Sequence, residues 1–322
     1  TRGILVSDRV FRSPGSRVMT GVEEDGPLRT VFRVEREFEL PAKMEKGTWR
    51  RSDTRRLLRV VDRMIVEKGL PGVRVHTTVE NTCADHRFRV LFPTDTDSTV
   101  SFAETPFAVV ERDIAIPPEA ATWQERVNPE KPFTSFFGVQ DDEVGLAILA
   151  PFAPHEYEVT QTDDRSLALT LFRATGKTVG TSGEPDGQLI QVMEFSYILY
   201  PFPSPFDALA AAKLVAEAQC PPTARYTSTP LPSRSFLRLV NEAAVATALK
   251  PAEDGRGGII RLWNPGDCSV EEIIELSCPL SGAWRCNLAE KDIEPVALTN
   301  NCSIPVSVPP RGLATIRFLW DS

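Results

Sequence analysis

Histidine is scarce. The 322-residue chain has three, His76, His86 and His155. No two of them stand at the i, i+2 or i, i+4 spacing that puts two metal ligands on one side of an element. The six cysteines, at 83, 220, 268, 278, 286 and 302, form no CxxC pair. A chain this long does not read as a disulfide framework, so they are expected to be free thiols, which leans towards a cytoplasmic setting. GxSxG, P-loop and GxGxxG motifs are missing, so neither an esterase nucleophile nor a phosphate-cradling turn is announced. No run of 18 apolar residues occurs, and the expectation is a protein without a membrane span. The opening residues TRGILV lack both an initiator Met and the apolar core of a secretory leader, so a processed chain, or a piece of a longer one, is expected. The formal charge of -8 argues against nucleic acid or anionic membrane as a main partner, because binding phosphate takes clustered cations.

What is present is strand pattern. Composition is that of a globular chain, 42% hydrophobic and 25% charged, with 27 prolines. The length favours two domains. Residues 145–150 (GLAILA) form a short apolar run suited to a buried strand. In residues 166–172, Leu167, Leu169 and Leu171 fall on one face and Ala168, Thr170 and Phe172 on the other, a period of two. Residues 28–33, 57–66, 73–79, 85–93, 192–200, 258–263, 270–276 and 314–319 read as further strands. In 85–93, His86, Phe88, Val90 and Phe92 share one face while Asp85, Arg87 and Arg89 share the other. One helix is expected, over 205–219, with Ser204 as cap, Pro205 in the first turn and Asp207 at the positive end of the dipole. Residues 235–250 suit either strand or helix. The division expected is a β-domain over 1–203, a helix and proline-rich linker over 204–234, and a small β-sandwich over 235–322.

Candidates for chemistry are few. Glu156 and Glu158 project the same way from a strand, roughly 6–7 Å apart by strand rise, near a glycosidase carboxylate separation. Solvated carboxylates on a strand face are the commoner case. His86 reads as a hydrogen-bonded core histidine from its apolar face. The basic cluster at 49–56 reads as a solvated loop, with an anion-binding loop as the alternative. The tryptophans Trp49, Trp123, Trp263, Trp284 and Trp320 are scattered rather than set in a row that would stack a sugar chain.

Several stretches resemble the C-terminal half of glycoside hydrolase family 38, the α-mannosidases. They are Gly26-Pro-Leu-Arg, Val79-Glu-Asn81 with Asp85-His-Arg-Phe-Arg-Val-Leu-Phe-Pro93, and Thr105-Pro-Phe107 with Glu111-Arg112. Next come Gly145-Leu-Ala-Ile-Leu149, Glu156-Tyr-Glu-Val159 and Leu167-Ala-Leu-Thr-Leu-Phe-Arg-Ala-Thr-Gly176, and last Ala248-Leu-Lys-Pro-Ala-Glu-Asp-Gly255 with Arg261-Leu-Trp-Asn264. Together they run in collinear order from about residue 26 to the C-terminus. The resemblance implies an all-β fold: a large galactose-mutarotase-like β-supersandwich, one linking helix and a small β-sandwich. It implies that the catalytic aspartate and the zinc ligands lie in an N-terminal catalytic domain of the same polypeptide, outside these residues. The chain would then hold no cofactor and no catalytic residue of its own. It would act on an α-mannoside only as part of a retaining, zinc-dependent enzyme. In the family a loop after the "TLlR" strand approaches the sugar; here Glu184, Asp186, Gly187 and Gln188 are the substrate-binding candidates. A face left uncovered in such a fragment is expected as an exposed apolar patch on the large β-domain, and homo-oligomerisation stays open. Two other readings stand beside this one. The first is an aldose-1-epimerase using His86 or His76 with Glu156 or Glu158. The second is a free-standing carbohydrate-binding module.

Overall fold

The computed structural model describes residues 9–45, 47–48, 50–124, 127–152, 156–176, 185–229 and 231–320. The chain divides into two units. One is built from residues 1–103 and 111–206, the other from 104–110 and 207–322.

The first unit is built on a nine-stranded antiparallel sheet. In spatial order its strands are Arg17–Asp25, Arg29–Pro41, Arg55–Glu67, Val73–Glu80, Val192–Pro203, Val144–Leu149, Phe136–Gln140, Val100–Thr105 and Ala108–Asp113. The late strand Val192–Pro203 inserts between Val73–Glu80 and Val144–Leu149, so the sheet closes only after most of the unit has been laid down. A four-stranded sheet contributes the other side of the core: Lys131–Pro132, Glu156–Val159, Leu167–Ala174 and His86–Phe92. Val60, Val75, Val79, Phe137 and Ile148 of the first sheet share one apolar core with Tyr157, Leu167 and Leu169 of the second. Phe137 stacks on Tyr157 with ring centroids 4.4 Å apart. Gly138 has no room for a side chain: a Cβ there would stand 2.6 Å from the Leu146 carbonyl oxygen and 2.5 Å from the Phe102 ring.

The alternation of residues 166–172 is broken by a bulge between Thr170 and Phe172. The extra residue returns Phe172 to the side of Phe88, where the two rings stack at 5.6 Å. Phe172 therefore does not share the face of Ala168 and Thr170, because a bulge shifts the period of two by one residue.

The second unit holds the helix and the small sandwich. The helix runs Ala208–Gln219 and is capped by Asp207, whose side chain accepts from the Ala210 N–H at 2.9 Å. Ser204 does not cap it. Its N–H donates to the Glu143 carbonyl at 2.9 Å, so Ser204 still belongs to the end of the sheet. Ala211, Ala212 and Val215 are the helix's buried stripe. Residues 235–250 resolve as extended chain, with strands Leu237–Leu239 and Val245–Pro251. A three-stranded sheet (Leu237–Leu239, Val270–Leu276, Ser303–Val308) faces a five-stranded one. The latter orders Val245–Pro251, Gly258–Asn264, Gly312–Trp320, Leu280–Cys286 and Asp292–Val296. Ile260, Leu262, Ile274, Ile304, Val308 and Ile316 fill the space between them. Arg317 is buried yet satisfied: it donates to Asp292 at 2.7 Å, Asp254 at 2.8 Å and the Glu290 carbonyl at 2.6 Å. Strand dominates, as the sequence predicts for a supersandwich followed by a small β-sandwich. Among the described residues no helix is long and apolar enough to cross a membrane.

Candidate functional site

The loop after Leu167–Ala174 is the stretch the sequence singles out. Glu184 lies outside the described residues. Asp186, Gly187 and Gln188 form one short 3-10 turn, followed by Leu189 at a left-handed φ of 51°. Asp186 is exposed, while Gly187 and Gln188 are half-buried. The Gly187 carbonyl accepts from the Thr175 N–H at 2.8 Å. A Cβ on Gly187 would lie 2.3 Å from the Thr175 carbonyl oxygen, so only glycine lets the returning chain come this close.

Gln188 ties this turn to the segment before His86–Phe92. Its amide nitrogen donates to the Asp85 carboxylate at 2.7 Å, and its carbonyl accepts the Asp85 N–H at 2.8 Å. Asp85 sits at φ 58°, a left-handed conformation that aspartate tolerates better than most residues. The same carboxylate accepts from the Met44 N–H at 3.0 Å, and the Asp85 carbonyl accepts from Arg51 at 2.5 Å. Asn81 completes the clasp by donating to the Leu189 carbonyl at 2.8 Å. Asn81, Asp85 and Arg51 were not singled out as site residues. The sequence signal for Asn81 and Asp85 is the Val79–Asn81 and Asp85–Pro93 match, and for Arg51 it is the basic cluster at 49–56. The basic cluster is likewise used internally: Arg55 donates to the Glu39 carbonyl and Arg56 to the Thr82 carbonyl.

Next to the clasp, one face of the four-stranded sheet carries a matched set of charges. Glu156 accepts from Thr170 at 2.6 Å and from Arg173 at 2.8 and 3.0 Å. The bulge makes this pairing, because it keeps Thr170 and Arg173 on one face although they are three residues apart. Arg89 pairs with Glu158 and Arg87 with Glu130, and Arg173 also reaches Glu130 at 3.4 Å. Burial would raise the Glu156 pKa, but the hydrogen bonds from Arg173 and Thr170 and the charge of Arg87 outweigh it and hold the carboxyl below its ordinary range. A carboxylate held ionised by an arginine is a poor proton donor.

His86 points to the other face of that sheet. It lies opposite Ala174 in the ladder and meets the Phe172 ring edge-on at 5.4 Å. Neither ring nitrogen makes a hydrogen bond of proper geometry, contrary to the hydrogen-bonded core histidine expected. Burial, with the Arg51 charge adding to it, pushes its pKa down to about 4 against the opposing pull of the Ala84 backbone and Asp85. His76 is half-exposed on the nine-stranded sheet, 3.9 Å from Glu194, and His155 lies outside the described residues. His86 and the Glu156–Glu158 pair are thus on opposite faces of one sheet, where they cannot flank one sugar ring. Among the described residues no group of three or more His, Cys, Asp or Glu side chains is placed to hold a metal ion. The donor set for zinc is not formed by these residues. Of the tryptophans, Trp263 is buried and donates to the Phe107 carbonyl at 3.3 Å, Trp123 and Trp320 are exposed, and Trp49 lies outside the described residues.

Residues 12–187 match the family model described as glycosyl hydrolases family 38 C-terminal domain. Residues 243–316 match the glycosyl hydrolases family 38 C-terminal beta sandwich domain. The chain is 31% identical over 265 residues to a putative mannosylglycerate hydrolase of Halalkalibacterium halodurans, covering 79% of this chain and 28% of that protein. An alpha-mannosidase from Enterococcus faecalis V583 shares the fold with a TM-score of 0.77 at 22% identity, over 94% of this chain and 35% of that one. A glycosyl hydrolase family 38 protein from Enterococcus faecalis gives 0.75 at 21% identity, over 94% and 36%. This chain therefore spans about a third of the length of the proteins it matches. The two family models follow each other in chain order, one over the nine-stranded-sheet unit and one over the small sandwich, and the chain belongs to glycoside hydrolase family 38 as its C-terminal β-region.

Proposed function

We propose that this chain is the supporting, non-catalytic part of an α-mannoside-cleaving enzyme. It braces an N-terminal catalytic domain of the same polypeptide and helps to wall the sugar pocket. The observation that carries the reading is the state of its carboxylates. The pair with glycosidase-like spacing, Glu156 and Glu158, is neutralised by Arg173 and Arg89. A retaining hydrolase needs one carboxylate free to attack and one carboxyl able to give up a proton, and these two offer neither. Zinc and the nucleophile belong to the catalytic domain.

The wall of the pocket is the turn of Asp186, Gly187 and Gln188; Glu184, the fourth substrate-binding candidate, lies outside the described residues. Gln188 anchors the turn on Asp85, and the exposed Asp186 is the group left to meet a sugar hydroxyl. The working division is 1–203, 204–234 and 235–322. All six cysteines are free, which suits the cytoplasm.

The test is turnover of an aryl α-mannoside, and of a mannosylglycerate, by this chain with added zinc and by the full-length gene product. Activity only in the longer protein is the expected result. Zinc-dependent turnover by this chain alone would sink the reading. The second substrate is included because of the 31% identity to a putative mannosylglycerate hydrolase.

A further inference from the structure

The ladder of the nine-stranded sheet gives rows of residues that share one face, since directly opposed residues in antiparallel strands point the same way. One row runs Val22, Phe32, Met64, Val75, Tyr197. Its exposure falls from 57% and 43% at Val22 and Phe32 to 4% and 2% at Val75 and Tyr197. A second row runs Val18, Arg36, Val60, Val79, with Val18 48% exposed and Val60 and Val79 buried. Val66, opposite Thr30, is 46% exposed. This face of the sheet is therefore covered at its centre, with Val34 buried and Phe38 and Leu40 packed on the core, and is open at the corner of Val22, Phe32 and Val66.

The other face of those same strands carries most of the ion pairs, with Met19 and Leu57 also exposed on it. Arg17 pairs with Glu37, Arg59 with Glu80, and Glu23 with both Arg33 and Arg63. Glu35 bridges Arg33 and Arg59. The exposed corner of Val22, Phe32 and Val66 lies apart from these ion pairs, a contiguous apolar cluster rather than single scattered residues. On the first face Arg36, directly opposite Val18, pairs with Asp62, and Asp62 accepts from Thr77 at 2.6 Å, so this ion pair separates Val18 from the apolar corner. Arg17–Asp25 is also the edge strand, so its outer backbone groups are open as well.

We infer that the strip of Val22, Phe32 and Val66 is where the rest of the polypeptide docks on this region, an inference that rests on the function proposed above. The relatives that align with 94% of this chain are about three times its length, so in them the larger part of the molecule is available to cover such a strip. A segment of the same polypeptide acts at a high effective concentration. A second copy must associate from dilute solution against a formal charge of -8 on each molecule, which disfavours self-association.

The test compares this chain with the full-length gene product by carbene footprinting, a readout independent of glycosidase activity. Val22, Phe32 and Val66 are expected to label in this chain alone and to lose their label in the longer protein. The double variant V22D/F32D is expected to lower the melting of this chain slightly, because both side chains are only partly covered in it, and to lower the melting of the longer protein by several times as much. Equal labelling in both forms overturns the inference. So does a dimer of this chain, seen by sedimentation, that V22D/F32D dissociates, because a second copy would then be the occupant. Protection without mannoside turnover would defeat the proposed activity and leave the docking surface standing. Turnover with the strip still labelled would do the reverse.

Discussion

The centre and the first edge of the nine-stranded sheet use the same alternation of side chains and end in opposite conditions. At the centre, Phe136–Gln140 and Val144–Leu149 are closed in on both faces, with Phe136, Phe137, Ile148 and Leu149 all buried. At the edge, Val18, Val22 and Phe32 carry the same kind of side chain into water. The residues do not decide the difference; the covering layer does. An apolar side chain contributes to stability only by the area that folding removes from water.

That comparison is most easily broken at the centre. Phe137→Ala removes a ring packed between Phe133 and Tyr157 and is expected to cost about 3–5 kcal/mol. Urea unfolding followed by tryptophan fluorescence measures it. A loss below about 1 kcal/mol would mean that the two sheets pack far more loosely than described.

A second measurement sharpens the contrast on the covering layer itself. His86 is kept neutral by burial, with a pKa of about 4 against an ordinary value of 6.5. A base whose pKa is lower in the folded state binds fewer protons there than when unfolded. Its contribution is therefore fully present above the unfolded value, falls as the pH drops from about 6.5 to about 4, and levels off below that. The change across this window is on the order of 3 kcal/mol. His86→Leu is expected to flatten stability against pH in this window, read from urea midpoints. An unaltered slope would show that the His86 ring is solvated.

The smallest effect belongs to the edge. Val22→Ala in this chain is expected to change stability by no more than about 0.5 kcal/mol, because the side chain is already more than half exposed. A loss several times larger would reveal a cover over the strip in the isolated chain.

Much of the architecture was legible in the residues. Alternation marked strands such as His86–Phe92 and a short apolar run marked Val144–Leu149, while Phe136–Gln140, Leu280–Cys286 and Ser303–Val308 went unread, because the pleat leaves an alternating trace only where one face is buried and the other is not. The collinear segments pointed to the family, and the proline and alanine content around Ala208–Gln219 marked the helix. Some features had no local trace. The bulge between Thr170 and Phe172 depends on the partner strand, so the face of Phe172 was misread. The helix cap fell on Asp207 and not Ser204 because a sheet hydrogen bond held Ser204 back.

The sequence by itself determined that the chain is β-rich and that it resembles the C-terminal β-region of family 38. These are properties of residue type, spacing and order. Tertiary structure alone decided that Glu156 and Glu158 are spent on Arg173 and Arg89, and that Gln188 meets Asp85. It also decided that Val22 and Phe32 stay uncovered while Val75 does not. Each of these is a relation between segments far apart in the chain, fixed by which strand lies beside which and by what layer covers it. A hydrogen bond or a buried area exists only between partners, and the partners meet only when the chain folds.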